Sequence, residues 1–176
     1  MRISATTVNT TKEEQTVTTI DINDVAVLAT AGILWGTLAV GHNLADHVAG
    51  QTDAQAAAKG APTPAEVDEG VSPRRGWGAC LRHVAQYHLV LAALVAVTWA
   101  VLPLHLTPAG IGAALAVSIS THAFFDRRWP VRWILEHTGS PEFAQLNAGG
   151  LNGMYLADQA LHHLALFAAA VLMARL

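Results

Sequence analysis

The sequence contains a single cysteine, Cys80, among its 176 residues. One cysteine cannot form an intrachain disulfide, and it excludes metal sites built from several thiolates. Charged side chains are also scarce, at 13% of the chain, which is about half the usual share. The net charge of −3 provides no basic field to attract nucleic acid, and no nucleic-acid-binding motif is present. We therefore expect no nucleic-acid partner.

Two long stretches, 25–45 and 83–125, lack Asp, Glu, Lys and Arg entirely. A membrane-spanning helix needs about 20 mostly apolar residues. The alternative is a soluble bundle of Ala-rich helices, but apolar segments of this length without a polar stripe leave no face for water. The sequence therefore predicts an all-α fold, a four-span transmembrane helical bundle with up-down topology and both termini on the same side. The predicted spans are about 25–46, 81–102, 108–126 and 153–174.

The rest of the chain is divided by its polarity. Residues 1–24 are rich in threonine and are predicted to form a mobile polar tail. The membrane domain covers 25–176, with a long loop at about 49–79. A second segment, at about 127–150, carries tryptophan and arginine, which favour the headgroup level, and it is predicted to be interfacial.

Lysine and arginine indicate an orientation. Seven of them lie in or beside the loops after the first and third spans, against three in the rest of the chain. Loops rich in these residues stay in the cytoplasm. We therefore predict a cytoplasmic-membrane protein with both long loops cytoplasmic and both termini outside.

Histidine and aspartate recur at the span ends on the predicted cytoplasmic side. A His–Asp spacing of four residues puts both side chains on one face of a helix. Three spans carry such a pair, and the remaining span opens with two histidines: His42 with Asp46, His122 with Asp126, Asp158 with His162, and His83 with His88. An up-down bundle brings all eight residues to a similar depth, whichever way the protein is oriented.

These eight residues are the predicted metal ligands. Ionisable groups within spans usually face the bundle interior, and a buried aspartate needs a cation. Helical bundles build metal centres from imidazoles and carboxylates on facing helices. The set exceeds the four ligands of one zinc ion, so we expect either two divalent ions or one ion with further residues orienting its ligands. Zinc is the first choice, with manganese and iron as alternatives.

The leading functional hypothesis is a metal-dependent hydrolase acting on a lipid or lipid-linked ester or phosphoester at the cytoplasmic face. Asp158 is the candidate general base. Four cations are predicted to hold an anionic headgroup: Lys59, Arg82, Arg127 and Arg128. The expected partner is this lipid substrate, and a homo-oligomer is left open.

Two other functions use the same residues. A metal or proton transporter, or a metal sensor, needs polar side chains continuing through the outer half of the spans, which is mostly Leu, Val and Ala. A b-type haem protein uses histidines on facing helices but does not need three aspartates beside them.

The run His42-x-x-x-Asp46, followed by Gln51, Lys59 and His83, resembles an uncharacterised family of bacterial integral-membrane proteins over about residues 35–170. The wider pattern is similar to bacterial membrane-bound metal-dependent hydrolases. That second resemblance implies hydrolysis at the membrane surface without naming a substrate. The ligands that it implies are His42, Asp46, His83, His122 and Asp126.

Overall fold

The structure, a computed structural model, describes residues 2–4 and 19–176 and is predominantly helical. The helices in this part of the chain are α1 (Ile22–Leu44), α2 (Asp53–Ala58), α3 (Pro64–Asp68), α4 (Trp77–Val101), α5 (Pro108–Phe125), α6 (Trp129–His137) and α7 (Gly153–Arg175). A π-helical turn, Ala45–Ala49, continues α1.

The extended segments are short. Strands β1 (Arg2–Ser4) and β2 (Thr19–Asp21) pair antiparallel, and so do β3 (Asn147–Ala148) and β4 (Leu151–Asn152). Most of the predicted polar tail, residues 1 and 5–18, lies outside the described residues. The first helix begins at Ile22, where the Asp21 side chain accepts a hydrogen bond from the Asn23 amide at 3.0 Å.

Four helices are long and apolar enough to cross a membrane: α1 with its π turn, α4, α5 and α7. Their outward faces are apolar, as the side-chain exposures of Leu28 (71%), Leu89 (71%) and Leu164 (63%) show. Exposing these apolar faces to water would be unfavourable, whereas lipid tails solvate them. The predicted four-span bundle with up-down topology is confirmed, and the protein is an integral membrane protein.

The four spans are packed unevenly. Helix α5 packs closely along α7, and α1 packs against both α7 and α4, whereas α4 and α5 meet much less closely. The buried residues of α5 recur every four positions and three of them are small: Gly110, Ala114, Ser118 and His122. A Cβ added at Gly110 would lie 3.0 Å from the Met173 carbonyl oxygen, so small side chains allow the close approach of α5 to α7.

The apolar core fills the end of the bundle away from the two long loops. Its members include Leu34, Leu38, Leu91, Leu166 and Met173, all buried. The opposite end, where α1 and α5 finish and α4 and α7 begin, holds the buried histidines and aspartates. Up-down topology therefore brings the three His–Asp pairs and the two histidines of α4 to one end, as predicted.

Candidate metal centre

Three ligand atoms from three helical segments converge at the polar end of the bundle. The Nε2 atom of His83 in α4 lies 3.0 Å from Nε2 of His122 in α5 and 3.1 Å from Oδ1 of Asp46 in the π turn. The His122 Nε2 to Asp46 Oδ1 distance is 3.9 Å. All three side chains are buried. They form a group in which each residue offers one atom to a common ion.

A second group overlaps the first at His122 and adds Asp126 and His162, also buried. Oδ2 of Asp126 lies 3.4 Å from Nε2 of His122 and 3.5 Å from Nε2 of His83. Asp126 therefore faces the same space as the first three ligand atoms. His162 enters from α7, and its ring centroid is 4.4 Å from that of His122.

The spacing and chemistry of these atoms fit a divalent ion. Four ligands at about 2.0–2.1 Å from a tetrahedral ion lie about 3.3 Å apart, and the measured separations run from 3.0 to 3.9 Å. Three ligand atoms are buried without a hydrogen-bond partner: Asp46 Oδ1, Asp126 Oδ2 and His162 Nε2. An unpaired buried polar atom costs about 1–3 kcal/mol. A cation held by either group would give the unpaired atoms of that group a partner.

Backbone hydrogen bonds set the tautomers of two histidines. The Nδ1–H group of His83 donates to the Gly50 carbonyl at 3.3 Å, and that of His162 donates to the Asp158 carbonyl at 2.8 Å. A carbonyl oxygen can only accept, so the proton lies on Nδ1 in both rings. Each Nε2 then presents a lone pair to the centre, which is the arrangement that metal-binding histidines use.

The π turn determines the position of Asp46. The Gly50 amide donates to the Ala45 carbonyl at 2.9 Å, which closes the wider turn. The Gln51 side-chain amide donates to the Asp46 carbonyl at 2.7 Å and holds the turn. A turn of this kind re-aims the residues within it. The spacing of four residues between His42 and Asp46 did not indicate the π turn.

The electrostatics of the centre favour an added cation. Two buried carboxylates, Asp46 and Asp126, lie within reach of the same two imidazoles. Lys59, which is also buried, donates to Asp126 Oδ1 at 2.7 Å and balances one of the two charges. Buried charges need partners. A divalent ion would supply a partner for Oδ1 of Asp46, which has none.

The long loop folds over the centre and is anchored there by arginine. The Arg127 guanidinium donates to the Lys59 and Arg75 carbonyls at 2.7 and 2.6 Å and lies 4.6 Å from the Trp77 ring centroid. Gly76 has a φ of 86°, and a Cβ there would lie 2.5 Å from the Gly60 carbonyl oxygen. The turn before α4 therefore requires glycine, and it packs directly on the segment that carries Lys59.

A surface ion pair also ties the loop to itself. Arg75 donates to the Glu66 carboxylate at 2.7 Å, and this hydrogen bond lowers the pKa of Glu66 to about 2. Thr63 and Glu66 form a capping box at the start of α3. The loop therefore has ordered local structure over the centre.

Two predicted ligands lie beside the centre rather than within either group. His42 is buried, but Nδ1 is 3.0 Å from the Tyr87 hydroxyl and Nε2 is 2.9 Å from Gln159 Oε1. His88 donates from Nδ1 to the Val84 carbonyl at 2.7 Å, and its Nε2 accepts from the Ser118 hydroxyl at 3.0 Å. Both rings already have a partner for each nitrogen.

Asp158, predicted as both ligand and base, is also outside the two groups. Its side chain is 22% exposed, and its Oδ2 atom lies 3.6 Å from Nδ1 of His162 and 3.4 Å from the amide nitrogen of Gln159. The carboxylate therefore borders the centre and has access to solvent.

The four predicted headgroup-binding cations have different surroundings. Lys59 and Arg127 are buried in the contacts described above. Arg82 is exposed and donates to the Gly78 carbonyl at 3.2 Å, and Arg128 is exposed and donates to the Ala56 carbonyl at 2.6 Å. Arg82 and Arg128 are the two of the four that have exposed side chains.

Comparison with protein-family models, with curated proteins and with solved structures finds no match to this chain. The resemblances noted from the sequence stay predictions. The case for function therefore depends on the site itself.

Proposed function

We propose that the protein is a membrane-embedded metalloenzyme that hydrolyses an ester or phosphoester bond in a lipid or lipid-linked substrate. The residues that would hold a single divalent ion are Asp46, His83, His122 and Asp126, with His162 facing the same space. The observation that carries the proposal is that two groups of buried ligand atoms share His122, and that three atoms of these groups have no hydrogen-bond partner. These residues would suit zinc by their nitrogen and oxygen ligand set, and a divalent ion held there would supply a Lewis acid for the scissile bond and lower the pKa of a bound water.

Asp158 is the proposed general base. It borders the ligand groups without belonging to them, and its partial exposure lets water approach the carboxylate. The Gln159 side-chain amide, 3.4 Å away, helps to orient it. The carboxylate would accept the proton from the attacking water and later return it to the leaving group.

The location of the centre supports a lipid-like substrate. It lies at the ends of four membrane-spanning helices, at a depth that headgroups of lipids can reach. The exposed guanidinium groups of Arg82 and Arg128 are suited to hold a phosphate or carboxylate headgroup. The excess of lysine and arginine in the adjacent loops assigns this end to the cytoplasmic side in our proposal.

Two alternative functions fit less well. Among the described residues, the half of the bundle away from the centre has a mainly apolar core. Its few polar side chains, such as Thr30, Thr37 and Thr98, are uncharged, which gives little support to a path for a transported ion. A haem group cannot lie between His83 and His122, whose Nε2 atoms are 3.0 Å apart, since an axial pair needs the porphyrin plane between them.

The test is elemental analysis of detergent-purified protein together with an assay of ester and phosphoester lipids. We expect about one divalent ion per chain, loss of hydrolysis with a chelator and recovery with the metal. His83→Ala should lose the ion, whereas His105→Ala, in the turn at the far end, should keep it. Absence of the ion, or full activity in His83→Ala, would overturn the proposal.

A further inference from the structure

An apolar cavity of about 230 Å³ opens between α4 and α5, the two neighbouring spans that pack least closely. It extends along α4 from His88 to Trp99, which is about 16 Å at the rise of a helix. Its walls are apolar side chains from all four spans, among them Leu38, Ala92, Ala96, Leu115 and Met173. We call it the α4–α5 groove.

The groove lies within the membrane and faces the lipid. Trp99 and Leu115 on its rim are 49% and 42% exposed, and they belong to helices that cross the membrane. Water inside such a groove would have no polar partner along most of its length, whereas a hydrocarbon chain makes dispersion contacts along all of it. The occupant with matching chemistry is therefore one lipid hydrocarbon chain.

The polar end of the groove lies next to the metal centre. His88 and Ser118 line that end and are hydrogen-bonded to each other at 3.0 Å. The His88 ring centroid is 6.1 Å from that of His122, which is a proposed ligand. A chain lying in the groove would thus have its headgroup end beside the ion.

We infer that the α4–α5 groove binds one acyl or isoprenoid chain of the substrate and directs its headgroup to the metal centre. This inference rests on the proposed function, because the chain in the groove would belong to the substrate that the metal centre hydrolyses. It also identifies the substrate class as a lipid with at least one long hydrocarbon chain. The groove selects for chain length, while the metal centre recognises the polar group.

Lipid retention tests the groove without using hydrolysis. Wild type, Ala96→Phe and Ala93→Phe are purified in detergent, incubated with dioleoyl phosphatidylglycerol and examined by native mass spectrometry. Ala96 lines the groove, whereas Ala93 is an equally exposed alanine on α4 outside it, so Ala93→Phe controls for the added ring. We expect wild type and Ala93→Phe to retain one lipid and Ala96→Phe to bind it about tenfold more weakly, a change of about 1.4 kcal/mol. Metal content should be the same in all three.

Three outcomes overturn the inference. Equal retention by all three proteins, or retention by none, means that the groove holds no lipid chain. A wild-type dimer without lipid that becomes monomeric on Ala96→Phe means that a second copy covers the groove. Selective lipid retention in a protein without metal-dependent hydrolysis would support the chain site and reject the proposed enzyme, so the two failures can be told apart.

Discussion

Three histidines at the polar end of the bundle have roles that follow from the hydrogen bonds of their ring nitrogens. His83 and His162 donate from Nδ1 to backbone carbonyls, which leaves Nε2 free to bind an ion. His42, in contrast, uses both nitrogens for Tyr87 and Gln159. His42, the first residue of the His-x-x-x-Asp motif, therefore lies beside the centre and is not one of its ligands. Its contacts with a tyrosine and an amide suit a residue that fixes the helices at this depth.

Lys59 is the residue whose removal should reveal the charge balance of the centre. Lys59→Met leaves the buried Asp126 carboxylate without its partner at 2.7 Å. Breaking a buried pair on one side costs about 3–5 kcal/mol. We expect a fall of this size in the free energy of unfolding of metal-stripped protein, measured by thermal unfolding in detergent. Added divalent metal should recover part of the loss, because the ion would partner the same carboxylate.

The matched control for Lys59 is Arg132→Met. Arg132 pairs with Glu136 at 3.9 Å on an exposed face of α6. Exposed pairs contribute about 0–1 kcal/mol, so this variant should unfold close to wild type. Equal losses of unfolding free energy in the two variants would show that the buried Lys59–Asp126 pair stabilises the protein no more than an exposed pair does.

At the scale of elements, two local features allow the helices to build the centre. The π turn Ala45–Ala49 gives α1 the extra width that points Asp46 at His83. Small residues on α5 let that helix approach α7, which brings His122 towards His162. Both features position the ligands by changing the path or the packing of the backbone. The residues responsible for them are not themselves ligands.

Gly50→Ala tests the π turn. A Cβ at this position would lie 2.5 Å from the Ala45 carbonyl oxygen that accepts the closing hydrogen bond, so the turn must shift. The Gly50 carbonyl also accepts from His83, and its movement would release that ring. We expect metal affinity to fall about 10- to 100-fold, as for other residues that orient ligands, measured by competition with a chelating dye.

Gly36→Ala is the control for that experiment. Gly36 lies in the same helix, and a Cβ there meets no atom within 4 Å. Alanine favours helix by up to about 1 kcal/mol over glycine, so the variant should be at least as stable as wild type and bind metal normally. The role of the turn would be refuted if Gly50→Ala also kept wild-type affinity.

At the scale of the whole molecule, the order of the spans determines which loops lie at the same end of the bundle as the metal centre. The loops after α1 and α5 lie at the end that carries the centre, and the turn between α4 and α5 lies at the other. In the proposed orientation, the centre lies at the cytoplasmic end of the bundle beneath the long loop, and the α4–α5 groove faces the bilayer. A lipid could therefore reach the ion without leaving the membrane.

Cysteine labelling tests this orientation. Cys80 is buried, and Cys80→Ala gives a background for single reporters. With a membrane-impermeant maleimide, Ser72→Cys and Ser140→Cys should react only in inverted vesicles, and His105→Cys only in intact cells. The reverse pattern would contradict the proposed orientation alone, whereas labelling of all three from one side would contradict the four-span topology.

The sequence by itself determined the class of fold and the depth of the polar residues. Runs without charged residues define the spans. The position of a histidine or aspartate within its span gives its depth, and up-down topology shows which span ends lie together. All of this follows from spacing along the chain. The sequence did not determine how each helix is rotated about its own axis. That rotation decides which atoms meet, and it depends on packing between segments far apart in the chain. Only the tertiary structure therefore separated His83, His122 and Asp126 from His42 and His88, and only it paired Lys59 with Asp126 across the long loop.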